Sequence, residues 1–511
     1  MVAGRFDEMA PGRADDLRRF VERGGAILVV PDPGDDGHVE LTGVRIDEER
    51  PRAEWFVTLA DRPEAARLDR EVPLTTPLRF LQPVAAGVEV VATSSVGFAH
   101  RPVIATRNLG QGRVVSLGAG DLESVLDHPV VGRFVRRLLR GDDAMAAAPA
   151  RTLGVGVVGY GPFGGMGYVH GLGATETDGL AFVAAVDPIA ERLAVAGRDF
   201  PGLSTYESAR QLELDDAVDI AIVATPPAHH AGLAIGLLEA GKHVVVEKPM
   251  CLTVADADRM LAAAAANGRM LTVHQSRRWD TDFLALVRSI ELGTIGEVFN
   301  IETFVGGFEH PCRAWHSEAS ISGGAVYDWG SHHVDWILRL YGGPPEQVVT
   351  TSHKRVWLDV TNADQVSVWM RWSDGREAVF RQSDVAAVRR PKFYVQGTAG
   401  TIEGQYRPVV SETLEPGRGY ERRTSHHAEA PVDLRVVRNE AGYGLVEQVL
   451  PPAPHPGWAF HRNLADHLLL GEPLAVPPQQ SRDVVAVLEA AHRAGAGGSA
   501  TVELDDGLRA W

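Results

Sequence analysis

The chain has 511 residues, 45% hydrophobic and 23% charged, with a formal net charge of −17. That length exceeds one ordinary domain and predicts two or three. The acidic balance argues against a nucleic-acid or anionic-membrane partner, which needs clustered Lys and Arg, but leaves room for a nucleotide held by backbone N–H groups. Two cysteines, Cys251 and Cys312, are too few for a disulfide framework or a thiolate zinc site and fit a reducing compartment. The first residues have acids and no apolar stretch of the secretory kind, and no run approaches the roughly 20 apolar residues of a membrane span, so a cytoplasmic location is expected.

In chain order, "ADDLRRFVERGGAILVVPD" reads as helix, Gly and strand, and "GQGRVVSLGAGDLESVLDHPVVGRFVRRLLRG" as strand, loop and helix. These stretches resemble the second half of a trehalose-utilisation-type domain, which implies a partial glutamine-amidotransferase-like α/β segment over residues 1–140. The small, Ala- and Pro-containing stretch 141–150 reads as a linker. From 151 to 276, apolar strands ("LGVGVVGY", "LAFVAAVD", "VDIAIVAT", "HVVVEK", "MLTVHQS") alternate with helical stretches, one of them N-capped by Thr253. That alternation predicts an open, mostly parallel α/β sheet. From 277 to 511 the strand candidates alternate apolar with polar and are spaced by turns. They predict an α+β domain with an open, mainly antiparallel sheet.

"VGVVGYGPFGGMG" carries Gly159, Gly161 and Gly164 as G-x-G-x-x-G, with Phe163 inside the turn. Such a turn after a strand lets the backbone approach a pyrophosphate at a helix N-terminus. Gly165 and Gly167 leave the third glycine's assignment open. Asp187 ends the next strand about 20 residues on, where a carboxylate holds a ribose diol and repels a 2′-phosphate, so NAD is favoured over NADP. Thr225, Pro226 and His230 follow another strand, and Glu247, Lys248 and Pro249 a third, along the edge where such sheets bind ligands.

"VYDWGSHHVDWILRLYGG" concentrates Asp328, His332, His333 and Asp335. At 3.6 residues per turn Asp328 and His332 lie about 40° apart, while His333 is rotated about 100° from His332 toward packing. Three converging ligands are not secured by this spacing, so no metal is expected. An Asp cap with a satisfied helix histidine is the plain alternative to a proton-transfer site.

Together, "GYGPFG", "AVDP", "ATPPAHH", "AGKHVVVEKPM" and "SGGAVYDWGSHHVDWILRLYGG" resemble the glucose–fructose oxidoreductase/inositol dehydrogenase (Gfo/Idh/MocA) family over residues 150–511. The resemblance implies a Rossmann domain, an α+β domain, and NAD(P)-dependent redox chemistry on sugars, cyclitols and polyols. It also implies homo-oligomers formed through the C-terminal sheet. It assigns the catalytic positions to Lys248, Asp328 and His332, with a cis peptide before Pro249 and Glu247 near the nicotinamide ribose. In that reading His332 takes the hydroxyl proton, Lys248 stabilises the oxygen and Asp328 orients His332 or a neighbouring hydroxyl. Arg278 and Trp315 are expected to touch the substrate beside Asp328 and His332, with Trp279, His310, Arg313 and His316 nearby. The rivals are NAD-dependent glycoside hydrolysis and a non-catalytic nucleotide-binding regulator on the same fold. His170 falls later than the family's usual glycine-turn histidine and is given no role.

Overall fold

The structure is a computed structural model. It describes residues 13–503 apart from 35, 66–67, 69, 97–98, 129, 141–150, 163–164, 313, 416–418, 426–429, 454–456 and 497–498. The chain divides into two compact units, Met1–Ala150 and Arg151–Trp511.

The first unit is built on six strands: β1 (Ala26–Val29), β2 (Val44–Leu59), β3 (Glu71–Pro83), β4 (Val88–Val96), β5 (Ala99–Leu109) and β6 (Gly112–Leu117). Their order is β1-β6-β5-β4-β2-β3. Only β1 and β6 run parallel, and every other pairing is antiparallel. The helix Val131–Arg140 buries Phe134, Val135 and Leu138 in the same core as Leu74, Leu78 and Phe80 of β3. Among the described residues, the partial α/β segment that the resemblance implies thus has one parallel pair in an otherwise antiparallel sheet. The helix–strand units at the two ends supply one parallel pair, and the middle is a long hairpin. Its cause is visible in β3, "EVPLTTPLRFLQP", where buried and half-buried residues alternate with period two.

The second unit opens with a parallel sheet of β7 (Leu153–Val158), β8 (Leu180–Val186), β9 (Ser204–Tyr206), β10 (Ile220–Val223), β11 (His243–Glu247) and β12 (Leu271–His274). The order is β12-β11-β10-β7-β8-β9 and every pairing is parallel. All residues of β7 and β10 are buried, as strands covered on both faces require. The chain winds outward in both directions from β7, so the strand ends near β7 and β10 form the switch point where ligands bind. The helix Val254–Asn267 is N-capped as expected, with the Thr253 hydroxyl accepting the Asp256 N–H at 3.1 Å.

The second sheet has nine strands. They are β13 (Val298–Gly306), β14 (Gln347–His353), β15 (Gln365–Arg371), β16 (Glu377–Ser383), β17 (Phe393–Gly397) and β18 (Gly400–Gln405), then, after a separate hairpin of β19 (Val409–Glu415) and β20 (Gly419–Ser425), β21 (Asp433–Glu440), β22 (Gly444–Leu450) and β23 (Ser499–Glu503). The order is β22-β21-β18-β17-β13-β16-β15-β14-β23, with β13 and β16 its one parallel pair. One face packs on the helices Gly330–Tyr341 and Pro478–Ala496, where Trp336, Ile337, Val487, Leu488 and Ala491 join Val368, Phe380 and Val395. This core fixes the Asp/His segment relative to the sheet beneath it. No helix among the described residues is long and apolar enough to cross a membrane.

Candidate active site

The glycine turn leaves β7 with Gly159 at φ +92° and Gly161 at φ +76°. A Cβ on Gly159 would also lie 2.9 Å from the Ala224 carbonyl oxygen, so a side chain there is excluded twice. Phe163 and Gly164 lie outside the described residues. Gly167 has the close-packing role that the sequence left open: a Cβ there would meet the Tyr160 carbonyl oxygen at 2.3 Å. The helix Met166–Thr175 begins after Gly165 with no side-chain cap, which leaves its first N–H groups available to an anion.

Asp187 directly follows β8 and is buried. One oxygen accepts the Gly161 N–H and the other the Ile189 N–H, both at 3.0 Å, and Arg192 Nη1 stands 3.4–3.5 Å from the pair. The carboxylate thus ties the glycine turn to the next strand. His230 is fully buried, its two ring nitrogens 2.7 Å from the Thr225 carbonyl and 2.9 Å from the Pro249 carbonyl. It braces two strand ends against each other and does not face a ligand, which corrects the expectation of a cofactor contact.

Beyond those strand ends a cleft is lined by Met166, Ala224, Thr225, Pro227, Glu247, Lys248, Pro249, Trp315, His316, Ser322 and Asp328. Pro227 lines it, and the neighbouring Pro226 does not stand among its walls. The Lys248–Pro249 peptide is cis. Lys248 Nζ lies 3.0 Å from Asp328 Oδ1 and donates to the Asp328 carbonyl at 3.2 Å. Burial works against ionisation of Asp328, but the Lys248 ammonium, helped by His316 and Arg277, holds its carboxyl below the usual range.

His332 is buried, and its Nδ1 has no hydrogen-bond partner. Burial first, then the charges of Lys248 and Arg277 and the neighbouring His333, push its pKa well below the usual imidazole value, with Glu247 opposing. Its surroundings therefore disfavour the protonated ring, and His332 does not stand among the residues that line the cleft. His333 packs among Trp329, Trp336 and Phe380, the rotated position that helical phase demands.

His316 joins the site. It stacks on Trp315 at 3.7 Å, its Nδ1 is also unpartnered, and burial with Lys248 lowers its pKa against the pull of Asp328. Arg278 does not join. Its guanidinium is buried in a bidentate pair with Asp335, at 2.8 and 2.6 Å, and makes two further bonds to the Ala475 carbonyl and Gln480. The expected substrate contact is corrected accordingly: the guanidinium is buried in this pair and does not line the cleft. Arg277, its neighbour, is the arginine whose charge reaches Asp328 and His332. His310 pairs with Asp359 and does not line the cleft, and Arg313 lies outside the described residues. The Glu247 side chain reaches the cleft wall, yet its oxygens are taken by His170, His274 and the Lys248 N–H. His170, noted in the sequence without a role, and His274, not noted at all, both belong here; His274 ends an apolar strand on the ligand-binding edge, the signal that would have found it.

Two family models match the chain. "Oxidoreductase family, NAD-binding Rossmann fold" covers residues 153–275, and "GFO/IDH/MocA C-terminal domain" covers 283–403. A scyllo-inositol 2-dehydrogenase (NADP(+)) of Bacillus subtilis is 26% identical over 66% of this chain and 93% of its own. An inositol 2-dehydrogenase of Rhizobium meliloti is 27% identical over 52% of this chain and 79% of its own. The crystal structure of an NAD-binding protein from Listeria innocua superposes with a TM-score of 0.59 at 28% identity, covering 70% of this chain and 98% of that one. With the glycine turn, the strand-end lysine and the Asp/His segment assembled as described, the unit Arg151–Trp511 belongs to the GFO/IDH/MocA family of oxidoreductases with an NAD-binding Rossmann fold.

Proposed function

We propose that the protein transfers a hydride between a nicotinamide cofactor and a CH–OH carbon of a cyclitol, sugar or related polyol. The observation that carries this reading is a lysine–aspartate pair in the cleft wall, with the buried His332, itself outside the cleft lining, near enough to feel the Lys248 charge and with no partner on its Nδ1. The cofactor-binding residues fit the group: a turn at Gly159–Gly161 open to close approach, an uncapped helix start, and Asp187 at the next strand end. Thr225 and Glu247 would flank its reactive end. When bound, the nicotinamide supplies the hydride acceptor or donor.

The chain supplies proton handling and position. His332 accepts the hydroxyl proton on a ring nitrogen that its surroundings keep unprotonated. Lys248 Nζ faces the oxygen on which negative charge develops. Asp328 holds that ammonium in place and presents its second oxygen to a neighbouring hydroxyl. Trp315 and His316 offer the stacked apolar surface and hydrogen-bonding nitrogen that suit a hydroxylated ring. The substrate class follows the activities of the inositol dehydrogenases to which the chain is similar.

The coenzyme reading is NAD, because the Asp187 carboxylate disfavours a 2′-phosphate. Arg192 beside it weakens that preference. A cytoplasmic location agrees with two free cysteines. Self-association through the nine-stranded sheet is supported by Trp369, Leu445 and Val449, all exposed on its strands. Light scattering of the purified chain tests it.

The decisive experiment is a panel of inositols, sugars and polyols with NAD and NADP, followed at the absorbance of the reduced nicotinamide. Turnover that survives both Lys248→Ala and His332→Ala would sink the proposal. Release of sugar from an aryl glycoside without net reduced cofactor would move it to glycoside hydrolysis.

A further inference from the structure

Behind the wall of the cleft, four side chains from four separate elements converge. Glu247 Oε1 lies 2.9 Å from His170 Nε2 and 2.7 Å from His274 Nδ1. Its Oε2 accepts the Lys248 N–H at 3.0 Å. On the far side, His170 Nδ1 lies 3.2 Å from His461 Nε2. None of the four is more than 7% exposed.

One proton assignment satisfies every one of these bonds without a charged imidazole. His274 carries its hydrogen on Nδ1, and His170 and His461 carry theirs on Nε2. Burial, with the neighbouring imidazoles, depresses the proton affinity of His170 and His461. Burial opposes ionisation of Glu247, but His274 and His170 hold it far down as a carboxylate. Glu247 is therefore the carboxylate of the cluster. Its three histidines come from the helix that opens at the glycine turn, the end of β12, and the helix Ala459–Leu470. Held from three directions, the carboxylate cannot swing into the cleft or out of it.

That fixed anion has neighbours that need it. Lys248 follows it directly in the chain. His332 is pressed toward weak basicity by burial, Lys248, Arg277 and His333, and Glu247 is the group that opposes them. We propose that His170, His274 and His461 are positioning residues that hold Glu247 as an immobile anion against Lys248 and His332. The inference rests on the reading of His332 as the base. The oxygen and the two ring nitrogens also lie within 4.8 Å of one another, close enough for a metal ion to take the place of the shared hydrogens, and the test must separate the two occupants.

The test uses the full chain labelled with ¹⁵N-histidine, with no substrate needed. The expected spectrum shows His170 and His461 as neutral Nε2–H tautomers that do not titrate between about pH 6 and 9. In Glu247→Gln the carboxylate is lost, so the His332 titration moves to lower pH by about one unit. The acid limb of kcat/KM moves with it, and kcat falls at least roughly tenfold with little change in KM. His461→Gln leaves the Glu247 bonds in place and gives a smaller shift in the same direction, which keeps the test alive if Glu247→Gln does not fold. A purely structural role would lower the melting temperature and leave the His332 titration where it was in both variants, which overturns the proposal. So would stoichiometric metal in the purified protein by elemental analysis. If no substrate is ever found, the activity reading fails while the tautomers and the His332 titration still decide this one.

Discussion

Arg278–Asp335 and Lys248–Asp328 both join the end of a parallel strand to the Asp/His segment, seven residues apart on that segment. They differ in what is left over. Arg278 makes two bonds to Asp335 and two more to Ala475 and Gln480, and both side chains are 2% exposed. Lys248 meets one oxygen of Asp328 and its carbonyl, at 23% and 31% exposure, in the wall of a cleft. A pair buried on both sides is out of a ligand's reach and can only fix one element to another. An open pair keeps its charge oriented with valence to spare, which is the condition for touching a reacting oxygen. Both pairs lie on the same segment; exposure to the cleft is what separates them.

The comparison is broken most directly by mutation of the open pair. Lys248→Ala should reduce kcat/KM by roughly 10²–10³, as loss of an oxyanion-stabilising donor does elsewhere. Its melting temperature should stay within a few degrees of the parent, because a half-exposed ion pair contributes little to folding. Unfolding monitored by calorimetry beside the assay checks both halves; a large stability loss with intact turnover would reverse the assignment.

Arg278→Ala should do the opposite. Removing one partner strands a buried carboxylate, which costs about 3–5 kcal/mol of stability. Arg278→Met with Asp335→Leu should recover most of that loss, since an apolar pair of similar volume carries no unpaired charge. Denaturant titrations of the single and double variants read this out. Equal losses in both would show that geometry, and not charge burial, holds the junction.

These two pairs also show how far the sequence can be read. The parallel sheet was legible because each apolar run stops at a charged or turn residue, as in "HVVVEKP". The phase of the Asp/His helix was legible too, because 3.6 residues per turn separates His333 from His332. Which of two adjacent arginines sends its charge toward Asp328 and His332 was not. Ser276–Trp279 is a 3₁₀ turn, and its side chains leave in directions that no simple periodicity encodes. The pairing of His170 with Glu247 spans 77 residues and of His170 with His461 spans 291, so only the fold brings them together. In the first unit the two ends were read as helix–strand pieces while the alternating hairpin between them decided the sheet.

A pH series separates proton handling from folding. His128 and His243 are each held by burial at a pKa of about 4, and His332 and His333 lie well below the usual value. In the unfolded chain these imidazoles take up protons near 6.5. Below that pH the unfolded state binds more protons, so stability is complete above about 6.5 and falls as pH drops toward 4. The acid limb of kcat/KM should likewise lie below 6.5, since His332 must be unprotonated to act. Melting temperatures and rates from pH 4.5 to 8 test both, and an acid limb at or above 6.5 would remove His332 from the role of base.

The smallest expected effect concerns another partly engaged pair, Asp187 with Arg192. Asp187 is buried and bonded to two backbone N–H groups, while the Arg192 side chain is 37% exposed and sits at the long distance of 3.4–3.5 Å. By the same reasoning the saturated member sets the turn, and the loosely held one remains able to meet a ligand phosphate. Arg192→Ala should therefore lower kcat/KM with NADP by about tenfold, the scale of one charge-assisted hydrogen bond. The value with NAD should stay within about twofold, because no Arg192 contact to an unphosphorylated ribose is required. Asp187→Ser should raise NADP relative to NAD by removing the like charge, at some expense in stability from the lost Gly161 bond. Paired steady-state assays with both coenzymes give the ratios. An equal fall with NAD and NADP in Arg192→Ala would show that Arg192 merely supports the Asp187 turn and that coenzyme choice is decided elsewhere.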